Sequence, residues 1–92
     1  MESERVRVRA LVSGRVQGVW FRQSTAEAVI GTGVGGWVRN LEDGRVEAVF
    51  EGPPSAVERA LAYVSHGPER ARVDDVETVR EEPTGAKTFS VR

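Results

Sequence analysis

Gly14-Arg15-Val16-Gln17-Gly18-Val19-Trp20-Phe21-Arg22 is the stretch on which the reading of this chain turns. Before it, Val6, Val8, Ala10 and Val12 alternate with Arg5, Arg7, Arg9 and Leu11, the period of two that marks a strand with one buried face. After it, a helix is predicted from about Phe21 to Gly31, with Phe21, Ala28 and Val29 as its buried stripe. The stretch is therefore a strand–loop–helix junction. Glycines at 14 and 18 allow a tight turn with converging N–H groups. Unsatisfied amides and the helix dipole both favour an oxyanion at such a concavity. Arg22, about one turn beyond Gly18, adds a planar fork of donors at the same spot. The chemistry implied is capture of phosphate or carboxylate.

The loop is neither of the common nucleotide motifs. A Walker A loop ends in Gly-Lys-Ser/Thr, whereas Gly18 precedes Val19 and Trp20. The dinucleotide pattern needs a third glycine and a later acidic ribose partner. A small anion remains. Read alone, a short glycine motif more often serves only to join strand to helix.

A second segment changes that weighting: Gly36-Trp37-Val38-Arg39-Asn40-Leu41-Glu42-Asp43-Gly44-Arg45-Val46. It reads as a strand, an Asp-Gly turn and a second strand from Arg45 to Glu51, a strong hairpin signal. Asn40, near the end of the first arm, either serves the turn or faces a site. By itself the turn role is the commoner one.

Together, residues 14–22 and 36–40 closely resemble the two signature motifs of the acylphosphatase family. The likeness continues through Glu51-Gly52-Pro53, Gly67-Pro68, Ala71-Arg72-Val73 and the closing Phe89-Ser90-Val91-Arg92, covering the chain from about Val6 to Arg92. The resemblance implies hydrolysis of a carboxyl–phosphate anhydride to a carboxylate and inorganic phosphate, with no metal and no cofactor. It implies that Arg22 binds the phosphoryl group and that Asn40 orients the attacking water. It also implies that Arg15, Val16, Gln17, Gly18, Val19 and Trp20 surround the phosphate oxygens with backbone N–H groups. The family usually has an apolar residue where Thr32 stands, and Gly31 is uncommon there.

Physical chemistry supports the same roles. Positioned donors stabilise the charge that phosphoryl transfer puts on the equatorial oxygens, and an amide side chain can hold an in-line water through its donor and acceptor. No carboxylate or histidine stands out as a general base, so a phosphate oxygen of the substrate is expected to take the water proton. His66, at the predicted end of the second helix, reads as a favourable group at the negative end of the dipole rather than as a catalyst. Trp20 and Trp37 flank the motifs, as pocket shields or as ordinary packing.

The remaining elements complete the order. After the hairpin, Pro53-Pro54 stops the strand, and Ser55 with Glu58 forms a capping-box signature. A helix to about Ser65 carries Val57, Ala60, Leu61 and Val64 on one face, and Gly67-Pro68 ends it. Val73–Arg80 and a short piece from Lys87 to Arg92 read as strands, joined by the polar turn 81–85. The first helix is expected to fray or stop early, because each interior glycine of Gly31-Thr32-Gly33-Val34-Gly35-Gly36 costs about 1 kcal/mol against alanine. The order βαββαβ predicts an α+β fold of ferredoxin-like type, an antiparallel sheet with two helices packed on one face. The resemblance implies the same fold.

Bulk properties narrow the class. The 92 residues suit one domain over 1–92, with residues 1–4 a mobile lead-in. A net charge of −1 gives no footprint for nucleic acid or an anionic membrane. The arginines at 5, 7 and 9 are expected on the solvated face of their strand. No cysteine and a single histidine exclude disulfides, thiolate zinc sites and multi-histidine sites. No apolar run could cross a bilayer, and the N-terminus lacks a signal-peptide core. The expected partners are a small acyl phosphate and inorganic phosphate, with no nucleic acid and no membrane, for a cytoplasmic monomer. An anion-binding or regulatory module on the same fold is the first alternative. A single-stranded RNA binder is disfavoured, because Phe50 is the only aromatic of the hairpin's second arm and the net charge is slightly acidic.

Overall fold

A computed structural model describes residues 4–92, so most of the expected lead-in at residues 1–4 lies outside the described residues. The elements run β1 (Val6–Arg15), α1 (Phe21–Ala28), β2 (Gly35–Asn40), β3 (Val46–Gly52), α2 (Pro54–Val64), β4 (Arg72–Glu81) and β5 (Phe89–Val91). The five strands form one sheet in the order β4-β1-β3-β2-β5. Pairings among β1 to β4 are antiparallel, as expected. β5 departs from the expected sheet: it runs parallel to β2 and makes the sheet mixed. The seven residues from Glu82 to Thr88 give the chain room to leave β4 at one edge and add a strand at the other.

Alternation in β1 works as read. Val6, Val8, Ala10 and Val12 are buried on the helix side, joined there by Val38 of β2 and by Val46, Ala48 and Phe50 of β3. Ala56, Val57, Ala60 and Val64 of α2 and Phe21 of α1 close over that face. Each Val or Phe taken fully from water there contributes about 1.5–3 kcal/mol. Phe50 faces Gly36 across β3–β2, and Phe89 faces Gly36 across β2–β5. The two rings therefore meet over the residue that has no side chain, stacked 5.7 Å apart at 12°. Gly36 allows this in two ways. Its φ of 130° is unfavourable for other residues, and a Cβ would collide with the Val49 carbonyl.

One local expectation holds and three change. α1 ends at Ala28, confirming the early stop; Val29, Ile30 and Thr32 amides then bond three residues back in loose turns. Ala28 is exposed, and Thr25 takes its expected place in the buried stripe between Phe21 and Val29. These three sit at i, i+4 and i+8, the true inner line of a helix. The capping box does not form, because α2 starts two residues earlier: Pro53 is the N-cap, and Pro54, with no N–H to satisfy, opens the helix. Finally, the β1 arginines are not simply solvated. Arg7 bonds Glu51 and Glu81 at 3.0 Å each, and Arg9 bonds Glu47 at 3.2 Å, so the outer face of the sheet carries a half-buried ion-pair ladder.

Candidate anion-binding active site

The first motif bends out of the sheet at Gly14. The β1–β4 register slips between Ser13 and Gly14, and a Cβ at Gly14 (φ 125°) would strike the Arg72 carbonyl. A bulge of this kind redirects a strand end, and here it aims residues 16–20 across the top of the sheet. Val16 and Val19 turn inward and are buried, anchoring the loop to the core. Gly18 (φ 74°) and Trp20 (φ 70°) both adopt the left-handed conformation. For Trp20 that conformation costs about 1–2 kcal/mol, a strain held at the loop's exit into α1. Trp20 is also the N-cap of α1, and no side chain caps that helix or places an acid in its first turn. Its N-terminal amides and dipole are left to a solute anion.

A cavity of about 340 Å³ opens at this helix end, lined by Val16, Gly18, Trp20, Phe21, Arg22, Gln23, Asn40 and Val91. Of the sequence-predicted residues it gathers Arg22, Asn40, Val16, Gly18 and Trp20. Arg15, Gln17 and Val19 are not on its lining. Arg15 is exposed at the end of β1 opposite Arg72, and Val19 is a core residue. Gln17 has a bracing role. Its Nε2 donates to the carbonyls of Leu41 at 2.7 Å and Arg45 at 2.9 Å, the two ends of the β2–β3 turn. The hairpin's own turn is completed by the Arg45 amide donating to Asp43. The turn is thus served by Asp43 and Gln17, while Asn40 lines the cavity.

Arg22 is positioned from the far end of the chain. Its Nη1 donates to the main-chain oxygen of Arg92 at 2.7 Å, and the Arg92 amide donates in turn to Val38 at 2.8 Å. One of five guanidinium donors fixes the side chain, and the rest are free to face a ligand. The Arg92 guanidinium lies 4.5 Å from the Trp37 ring centre on the outer face, with Arg39 at 5.1 Å from the same ring. Trp37 is therefore a packing residue, whereas Trp20, 69% exposed, lines the cavity. His66 is exposed beyond α2, its amide bonded to the Tyr63 carbonyl, and does not reach the site.

The strand that carries Val91 and Arg92 is held by a buried carboxylate. Glu51, fully buried on β3, accepts from the amides of Thr84 (3.0 Å), Gly85 (2.7 Å) and Ala86 (3.1 Å), from the Thr84 hydroxyl (3.2 Å) and from Arg7. Burial opposes its charge. The Thr84 and Gly85 amides, the Arg7 guanidinium and the Thr84 hydroxyl outweigh that and hold the carboxyl down at about 2. Burial likewise opposes the Arg7 charge, and hydrogen bonds to Glu51 and Glu81 nonetheless raise Arg7 above its ordinary value.

Sequence reasoning missed Gln23 and Val91 as lining residues, and Gln17 and Glu51 as braces. Gln23 follows Arg22 directly, so the motif's edge pointed to it. Val91 carried no signal, because only the parallel pairing of β5 with β2 brings it to the site. Among the described residues, no three His, Cys, Asp or Glu gather where they could hold a metal, and no helix is long and apolar enough to cross a membrane.

A ferredoxin-like sandwich with an uncapped helix end, an arginine and an amide side chain around one cavity defines a class of small α+β domains. Within that class the chain belongs to the acylphosphatase family, whose model matches residues 8–91. It is 58% identical over 96 aligned positions to an acylphosphatase of Rubrobacter xylanophilus, covering 100% of this chain and 86% of that one. It is 55% identical over 86 positions to one from Haloarcula marismortui, covering 94% of each. The solved structure of an acylphosphatase from Coxiella burnetii superimposes with a TM-score of 0.91 at 32% identity, over 99% of this chain and 96% of that one.

Proposed function

We propose that this chain hydrolyses the carboxyl–phosphate bond of small acyl phosphates without a metal ion. The phosphoryl group is held by Arg22 and by main-chain amides of the 15–20 loop, which reaches the cavity at Val16, Gly18 and Trp20 by the N-terminal end of α1. Asn40 holds the attacking water. Water attacks phosphorus in line, the bond from phosphorus to the acyl oxygen breaks, and the carboxylate leaves with that electron pair. The water proton passes to a phosphoryl oxygen of the substrate, so inorganic phosphate is released and no protein base is required. The observation that carries this reading is that Arg22 of α1 and Asn40 of β2 line the same cavity as Gly18 of the loop. No acidic side chain lines that cavity, so its field favours an anion.

The test is steady-state hydrolysis of benzoyl phosphate in excess chelator, with Arg22→Ala as control. Turnover that persists in chelator and disappears in the variant supports the reading. A folded protein that binds phosphate without turnover would instead be an anion-binding module.

A further inference from the structure

A second cavity, of about 470 Å³, lies in the groove between α1 and β5. Its apolar lining is Ala26, Val29, Ile30, Val34 and Phe89, and Gln23 lines both this cavity and the site. α1 leads from Arg22 at the site to the groove, and the chain leads back from Lys87 and Phe89 at the groove through β5 to Val91 at the site. The two cavities therefore adjoin at Gln23, one after the other along α1. From Gln23 to Ala28 the helix axis rises roughly 7–8 Å and Ile30 follows in the turn beyond it, together about the reach of a medium-length acyl chain. Ile30 is 77% exposed in this groove, the most exposed of the large apolar side chains of the described residues. The only charged lining residues are Glu27 and Lys87, opposite in sign, so the groove does not select a charged ligand.

Resting on the reading above, we propose that this groove is an acyl subsite, which takes the hydrocarbon chain of a medium-chain acyl phosphate while its phosphoryl group occupies the Arg22 cavity. The chemistry of the groove supports this. Phosphate and carbonyl need polar partners and find them at the helix end; the remaining atoms of such a substrate are methylenes, and they gain by leaving water along Ala26, Ile30 and Phe89. Because the groove is open on one side, only part of each methylene is covered.

The test compares kcat/KM for acetyl phosphate and octanoyl phosphate, the latter below its micelle concentration, in the unmodified protein, Ile30→Asp and Ile30→Leu. Octanoyl phosphate is expected to be favoured about tenfold or more in the unmodified protein and in Ile30→Leu. In Ile30→Asp that preference should vanish while acetyl phosphate hydrolysis stays unchanged, which also reports that the variant folds. Acetyl phosphate turnover with no octanoyl preference, or a preference that survives Ile30→Asp, overturns the subsite and leaves the hydrolase intact. Failure to hydrolyse either compound overturns both.

Discussion

Arg22 and Asn40 divide the proposed chemistry between charge and geometry, and the division can be measured. Arg22→Ala removes a charge-assisted clamp on the phosphoryl group, so KM should rise and kcat fall together, and inhibition by inorganic phosphate should weaken. Asn40→Ala removes only a water holder. Its kcat should fall by roughly 10²-fold or more with phosphate inhibition nearly unchanged. Equal weakening of phosphate inhibition in both variants would show that Asn40 also binds the anion. Both residues line the cavity, as the resemblance of the two motifs implied; Arg22 was also readable from its spacing after Gly18, whereas Asn40 read alone favoured the turn. Gln17 was legible only as part of the loop. Its side chain reaches carbonyls 24 and 28 residues away, and no local pattern encodes that contact.

At the scale of elements, Gln17 joins the 15–20 loop to the hairpin that carries Asn40. Gln17→Ala leaves the part-buried Leu41 and Arg45 carbonyls without these donors, at a cost of about 1–3 kcal/mol. The turn would also be free to shift relative to the loop. We expect kcat to fall by about tenfold or more, with phosphate inhibition retained, because misplacement affects the water more than the anion. Steady-state kinetics beside a thermal melt decides it: a lowered melting temperature with kcat intact would make the brace structural only. The elements that periodicity or turn chemistry specifies were read closely: β1, the Asp-Gly hairpin, α2 and the early stop of α1. Start signals were less secure, since Ser55 with Glu58 gave a plausible cap where Pro54 had already opened the helix. β5 was read as a strand, but its partner was not readable. Three residues carry too little pattern to show that they lie parallel to β2 rather than antiparallel to anything else.

Across the whole molecule, Glu51 ties the sheet centre to the segment that delivers β5, and through Arg92 to Arg22. Strand alternation places a glutamate opposite an arginine stripe, which reads as solvated surface. That reading fails because the 84–86 segment folds over the carboxylate and replaces water with three amides. Glu51→Gln removes the charge that Arg7 and these amides are arranged around, and breaking a buried pair in this way costs about 3–5 kcal/mol. The pH dependence separates this from a packing defect. With its carboxyl held at about 2 in the folded protein, against an ordinary 4.5, Glu51 contributes stability that is fully present above pH 4.5. That contribution fades as pH falls toward 2, where the folded carboxyl takes up its proton. Denaturant unfolding of the two proteins between pH 7 and pH 2 should therefore show a gap that is constant down to about pH 4.5 and narrows below it. A gap of the same size at pH 2 would mean that the shape of the side chain, and not its charge, holds β5 in place.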